Sequence, residues 1–263
     1  MKFPRLIALA ATLAASAQAL ALGSSAQVSV IDRDSGSVLP TYYYRGEYWI
    51  AGRPGARYAV EIRNRAAGRL LAVTSVDGIN VLTGATAGFE QPGYVFDPGE
   101  TYQITGWRKS NSQVAAFTFT AAPNSYAERT GRPANVGVIG VALFRERAPE
   151  RVIPPRIAQS APPEAAASDA NQAREAERSA PSAGALAAES SAKLGTGHGE
   201  REYSYVESTE FRRESPQPHE VIRIRYDSLE NLVAMGVIRR PHPRPQIPDA
   251  FPGSWQYVPD PPG

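Results

Sequence analysis

Residues 58–82, YAVEIRNRAAGRLLAVTSVDGINVL, constrain the fold more than any other stretch, because strand and turn signals agree throughout it. Tyr58, Val60 and Ile62 alternate with Ala59, Glu61 and Arg63, a period of two that turns one set of side chains to a core and the other to water. Asn64 and Gly68 interrupt the pattern. Leu70, Leu71, Ala72, Val73 and Val76 then form a nearly continuous apolar run, so the two runs are expected to pair as a hairpin. Asp77 and Gly78 stand between Val76 and Ile79, and both tolerate the positive φ of a type I′ turn, which folds residues 79–82 straight back as a third strand.

The flanking sequence repeats this grammar. Short β-prone runs at 27–32, 41–51, 94–96, 102–107, 114–120 and 136–144 are separated by turn signals such as Asp-Ser-Gly, Arg-Pro-Gly and Asp-Pro-Gly. Asn124 and Ser125 are set to cap one brief helical excursion through residues 126–129. On the order of seven to nine strands at roughly 8 to 12 residue spacing, with no long helical pattern, predict an all-β domain over residues 26–147. An immunoglobulin-like β-sandwich is the expected form.

The N-terminus has another character. Lys2 and Arg5 precede an apolar run from 6 to 15 and small residues at Ala17, Ala19 and Ala21, the order of a cleaved export signal over residues 1–21. The run is short for a membrane span, and no later segment is long and apolar enough to form one. Export without cysteine leaves the domain to its core alone: the chain has 0 Cys, which also removes disulfides, thiol catalysis and thiolate metal sites. The formal net charge of +2 includes Lys2 and Arg5, so the mature chain is near neutral and does not have the basic balance of a nucleic-acid binder.

Beyond Ala148 the composition shifts to Ala, Pro, Ser, Glu and Arg, and residues 148–192 read as a disordered linker. Order signals return over 193–238. Residues 203–211 and 220–226 alternate as two strands expected to pair, and Asp227 and Ser228 offer an N-cap for a short helix from 229 to 235 stopped by Gly236. This ββα unit is too small to stand alone and is expected to dock on the sandwich or on a partner. Residues 239–263 form a Pro-rich tail of polyproline-like character.

Few residues suggest chemistry. His198, His219 and His242 lie apart in loops and tail, with no second histidine at ligand spacing, so no metal site is expected. Residues 194–199, LGTGHG, lack the strand, helix and terminal Lys of a phosphate-cradling loop and read as a flexible lead into the C-terminal unit; no cofactor is expected. Asp77 reads as a turn residue. Tyr42, Tyr43, Tyr44, Tyr48 and Trp49 offer flat rings for a sugar or a peptide, although cross-strand pairing accounts for the same residues. Trp107 and Arg108, followed by Lys109 and Ser110, set an aromatic and a cationic pair at a strand end, where sandwich loops carry recognition. The candidate ligand-binding residues are therefore Tyr42, Tyr44, Trp49, Trp107 and Arg108.

The segments LLAVTSVDGINV, DPGETYQITGWRKS, TGRPANVGVIGVALF, LGTGHGERE and IRYDSLENLVAMGVI together resemble a group of uncharacterised exported β-domain proteins of Gram-negative bacteria. The resemblance implies an exported β-domain and no activity. The expected function is a non-enzymatic binding or protein-interaction module of the cell envelope, with an envelope protein or glycan as partner. An envelope-polymer hydrolase using Asp97 or Glu100, and a structural component of an envelope assembly, are the alternatives.

Overall fold

The computed structural model describes residues 22–148 and 192–239, so the expected export signal, nearly all of the expected linker and the Pro-rich tail lie outside the described residues. Within them the regular structure is mostly β. Strands β1 (Ala26–Asp32), β4 (Arg57–Asn64), β8 (Thr101–Ile104), β9 (Gly106–Ser110), β10 (Gln113–Ala121) and β12 (Leu194–Tyr203) form sheet A. Strands β2 (Thr41–Tyr44), β3 (Glu47–Gly52), β5 (Leu70–Val76), β6 (Ile79–Asn80), β7 (Tyr94–Phe96), β11 (Val138–Arg145) and β13 (Glu220–Ser228) form sheet B. The helices are short: α1 spans Tyr126–Arg129 and α2 spans Leu229–Ala234. No helix among the described residues is long and apolar enough to cross a membrane.

The inward residues of both sheets meet in one apolar cluster. Val28, Val60, Ile62, Phe117 and Phe119 of sheet A belong to it together with Ile50, Val76, Ile139, Ile224 and Tyr226 of sheet B. Aromatic rings line this core: Tyr58 stacks on Phe119 within sheet A with centroids 4.2 Å apart, and Phe119 lies 5.4 Å from Tyr226 of sheet B. Full burial of such side chains contributes roughly 1.5–3 kcal/mol each.

Asp77 and Gly78 form the expected tight turn, with φ of 52° and 74° and Val76 opposite Ile79. The hairpin expected just before it does not exist. β4 pairs with β1, β8 and β10, whereas β5 pairs with β6, β7 and β11, so residues 65–69 arch from one sheet to the other. Asn64 causes the arch: its buried amide donates to the carbonyls of Gly68, Phe96 and Asp97 while its Oδ1 accepts from Ala66 N–H at 2.8 Å. The apolar pattern shows that both runs are buried strands, but not that they lie in opposite sheets.

The C-terminal segment departs further from expectation. The glycine-rich stretch from Leu194 is itself strand β12, and residues 204–211 are irregular. β12 and β13 do not pair: β12 lies beside β10 in sheet A, while β13 is inserted in sheet B between β11 and, in parallel, β3. The glycines explain β12, because a Cβ on Gly195 would stand 2.7 Å from Ser125 Cβ and one on Gly199 2.8 Å from the Ala116 carbonyl oxygen. The strand expected over 220–226 is present as β13, and the helical end also matches the sequence reading, with Ser228 capping α2 by accepting from Asn231 N–H at 3.2 Å.

A buried polar chain ties β12 and β13 to the rest. Tyr226 Oη donates to Asp77 Oδ1 at 2.5 Å, which leaves its oxygen to accept from Thr196 Oγ1 at 2.6 Å, and Thr196 Oγ1 in turn accepts from Tyr58 Oη at 2.6 Å. Asp77 also accepts from the backbone N–H groups of Gly137 and Thr196, each at 2.8 Å. Burial nevertheless pushes its carboxyl above the ordinary value of 3.8, against the hydrogen bonds from Tyr226, Thr196 and Gly137. Burial and the Asp77 charge push both phenols well above 10.0.

Candidate functional site

The outer face of sheet B brings together most of what the sequence marked for recognition. In β3 and β13 the residues Ile50, Ile224 and Tyr226 point into the core, so alternation turns Trp49, Arg223 and Arg225 outward. Register then aligns them: Tyr42 lies opposite Trp49, Tyr44 opposite Glu47, and Trp49 beside Arg225. The Arg225 guanidinium stands 5.6 Å from the Trp49 ring centroid and its Nε 2.7 Å from Glu47 Oε2. Both ion-pair partners are substantially exposed, so this pairing contributes at most about 1 kcal/mol and leaves the arginine free to exchange partners. Arg45, in the β2–β3 turn, lies 5.2 Å from the Tyr44 ring. The indole N–H of Trp49 is buried without a hydrogen-bond partner among the described residues.

Beside this aromatic and cationic strip lies a groove of about 370 Å³. Its floor comes from Gly140 and Ala142 of β11 with Val73 and Ser75 of β5, its near wall from Val221 and Arg223, and its far wall from residues 86–89. Register makes the floor continuous, with Arg223, Gly140 and Ser75 in one row and Val221, Ala142 and Val73 in the next. Gly140 keeps the groove open, since a Cβ there would stand 2.8 Å from Ser75 Oγ.

The rest of the same face is already covered. Phe211 packs against the apolar cluster that includes Leu71 and Phe144, and Arg213 lies 4.2 Å from the Phe144 ring centroid while donating to the carbonyls of Phe89 and Gln91. Backbone bonds fasten this strap, with Arg147 N–H to Arg212 O at 2.7 Å and Glu214 N–H to Arg145 O at 2.9 Å. Sheet B thus has an apolar outer surface, part closed by the chain itself and part left as groove and aromatic strip.

The remaining marked residues lie elsewhere. Trp107 is in the interlayer core at 2% exposure, edge-on to Phe117 with centroids 5.2 Å apart, and offers no surface to a ligand. Arg108 faces a second opening, a cleft of about 890 Å³ that also takes in Tyr94, Tyr102, Asp97, Glu100 and Tyr205. Its guanidinium is occupied: it donates to Tyr94 Oη at 2.9 Å, to the Ser204 carbonyl at 2.5 Å and to Ser204 Oγ at 3.2 Å, holding the strap's first residues. Burial pushes the Tyr94 hydroxyl up, and the bond from Arg108 works against it. Glu100 Oε2 accepts from Asp97 N–H at 2.7 Å, the ordinary role of a turn carboxylate, and the Asp97 side chain is 74% exposed.

No group of three or more His, Cys, Asp or Glu that could hold a metal ion occurs among the described residues. Sequence reasoning missed Arg223, Arg225 and Gly140. Their signal was present, because the alternation of Ile222, Arg223, Ile224 and Arg225 announces two outward cations, but nothing in the chain names the strands they join. No family model, curated protein or solved structure matches this chain.

Proposed function

We propose that this chain is an exported, non-enzymatic binding module of the cell envelope: an immunoglobulin-like β-sandwich that takes an extended segment of an envelope protein on the outer face of sheet B. The observation that carries the reading is the contiguity of Tyr42, Trp49 and Arg225 with the uncovered groove floored by Gly140. Flat rings with polar edges and exchangeable arginines suit an extended chain, whose unpaired carbonyls need donors and whose alternate side chains need pockets. The strap offers a likeness of such a segment, because residues 211–214 already lie on this sheet, anchored by Phe211 and Arg213. Export is supported by the basic, apolar and small-residue order of residues 1–21.

The test compares capture of envelope proteins by the mature chain with capture by Trp49→Ala and Arg225→Glu variants of unchanged melting temperature. Retention should fall about tenfold or more in each variant, in keeping with the loss of a buried aromatic or arginine anchor. Equal retention by all three proteins would refute the assignment of the site.

A further inference from the structure

We propose that the chain's own Pro-rich tail, residues 240–263, is a ligand of the outer face of sheet B, seating its aromatic cluster in the groove and lying across the Tyr42, Tyr44 and Trp49 strip. The inference rests on the reading of that face as a binding surface and adds an occupant supplied in cis.

Three observations meet here. The first is where the described chain ends. α2 is stopped by Gly236, with φ of 76°, and a methyl group placed on Gly236 would stand 3.8 Å from the Tyr44 hydroxyl. The chain is therefore at the rim of the aromatic strip three residues before its last described residue, Arg239. The second is the length and content of the tail. Residues 240–263, RPHPRPQIPDAFPGSWQYVPDPPG, begin with prolines alternating with polar residues and continue with Phe251, Trp255 and Tyr257. A proline-rich chain keeps its carbonyls free, loses little entropy when bound, and is commonly received by aromatic-lined grooves. The third is charge. Arg240 and Arg244 come first in the tail and would cross the strip that carries Glu47, whereas from 247 onward the only charged side chains are Asp249 and Asp260, which would meet Arg223 and Arg225.

Reach is sufficient. The strip on β3 and the groove floor on β11 are two strand spacings apart, about 10 Å. A chain as long as residues 240–255 would span about 50 Å if extended at ~3.1 Å per residue. The tail can cross the face with slack to spare, and its aromatic cluster is the part that arrives at the groove.

The chain has 0 Cys, so a pair of introduced cysteines reports proximity without competing thiols. In the full mature chain, Phe89→Cys at the groove's far wall is combined with Ser254→Cys beside Trp255, and disulfide formation is monitored under mild oxidation. The comparison protein combines Ser254→Cys with Ser35→Cys, which lies in the exposed β1–β2 connection. Docking predicts an intramolecular disulfide forming about tenfold faster at Phe89 than at Ser35, with Trp255→Ala bringing the faster rate down to the slower. Equal rates at the two positions would overturn the proposal. Disulfide-linked dimers in place of the internal bond would also overturn it, since the groove would then take a second copy's tail. Capture of envelope proteins, measured before and after cross-linking, separates the two readings. A closed disulfide with no capture by the open protein keeps the tail and removes the external ligand; capture without a closed disulfide does the reverse.

Discussion

Replacing Asp77 by Ala tests the internal architecture most severely. The change leaves the N–H groups of Gly137 and Thr196 and the Tyr226 hydroxyl without their acceptor in a site where Asp77 itself is only 1% exposed. Each buried donor left unpaired costs about 1–3 kcal/mol, and alanine at a φ of 52° adds about 1 kcal/mol that aspartate tolerates better. Relief of the buried charge offsets part of this, so the expected loss is about 3–5 kcal/mol, a large share of a typical domain's stability. Asp77→Asn keeps one acceptor oxygen and the turn preference, and should lose about 1–3 kcal/mol. Guanidinium unfolding of each protein, read at unchanged m-value, measures both. A loss below about 1 kcal/mol for Asp77→Ala would refute the claim that this carboxylate fastens β12 and β13. The same pair of proteins gives a pH signature. Burial raises the native carboxyl above 3.8, so the native state holds this proton to higher pH than the unfolded chain does. Stability from this group is full below about pH 3.8 and is lost as pH rises through the raised native value. The advantage of the wild type over Asp77→Asn should therefore grow on acidification. Asp32 and Glu220, where backbone hydrogen bonds outweigh burial and hold the carboxyls low, titrate alike in both proteins and cancel.

The same contacts set other outcomes. A protease site engineered between residues 149 and 191, once cut, should leave two fragments that elute together under native conditions, because β13 is an interior strand; fragments that separate would refute the insertion. Gly195→Val should destabilise by about 1–3 kcal/mol in thermal unfolding, since its Cβ meets Ser125 Cβ at 2.7 Å and Val136 Cγ1 at 2.9 Å, whereas Gly36→Ala, with open space around it, pays only for its positive φ. Phe211→Ala should release the strap, speeding amide exchange at Arg147 and Glu214 while that of core amides such as Ile139 changes much less.

Local features were legible in the chain and long-range ones were not. The positive φ at Asp77 and Gly78, the Ser125 cap that accepts from Glu128 N–H, and the Ser228 cap all arise from residue type at short range. The error at Asn64 is different in kind: Asn and Gly signal that a strand ends, and only the carbonyls of Phe96 and Asp97, some thirty residues away, turn that end into an arch. β12 was hidden because glycine lowers strand propensity, while here the missing side chains are what let the strand approach β10 and α1 closely. Half of the candidate face was readable as an aromatic strand. Arg223 and Arg225 joined it only through a parallel pairing that no short-range pattern encodes.

That parallel pairing also dictates when the molecule is finished. The bond between Asp77 and Tyr226 closes 149 residues of chain, an ordering cost of about 4 kcal/mol by loop-length scaling alone. Until residue 228 is available, β3 and β11 each present an open ladder to the same missing neighbour, and any strand of suitable sequence can occupy the vacancy. Synthesis from the N-terminus therefore leaves both edges bare from the completion of β11 at Arg145 until β13 has been made, and the last strand among the described residues is the one that silences them.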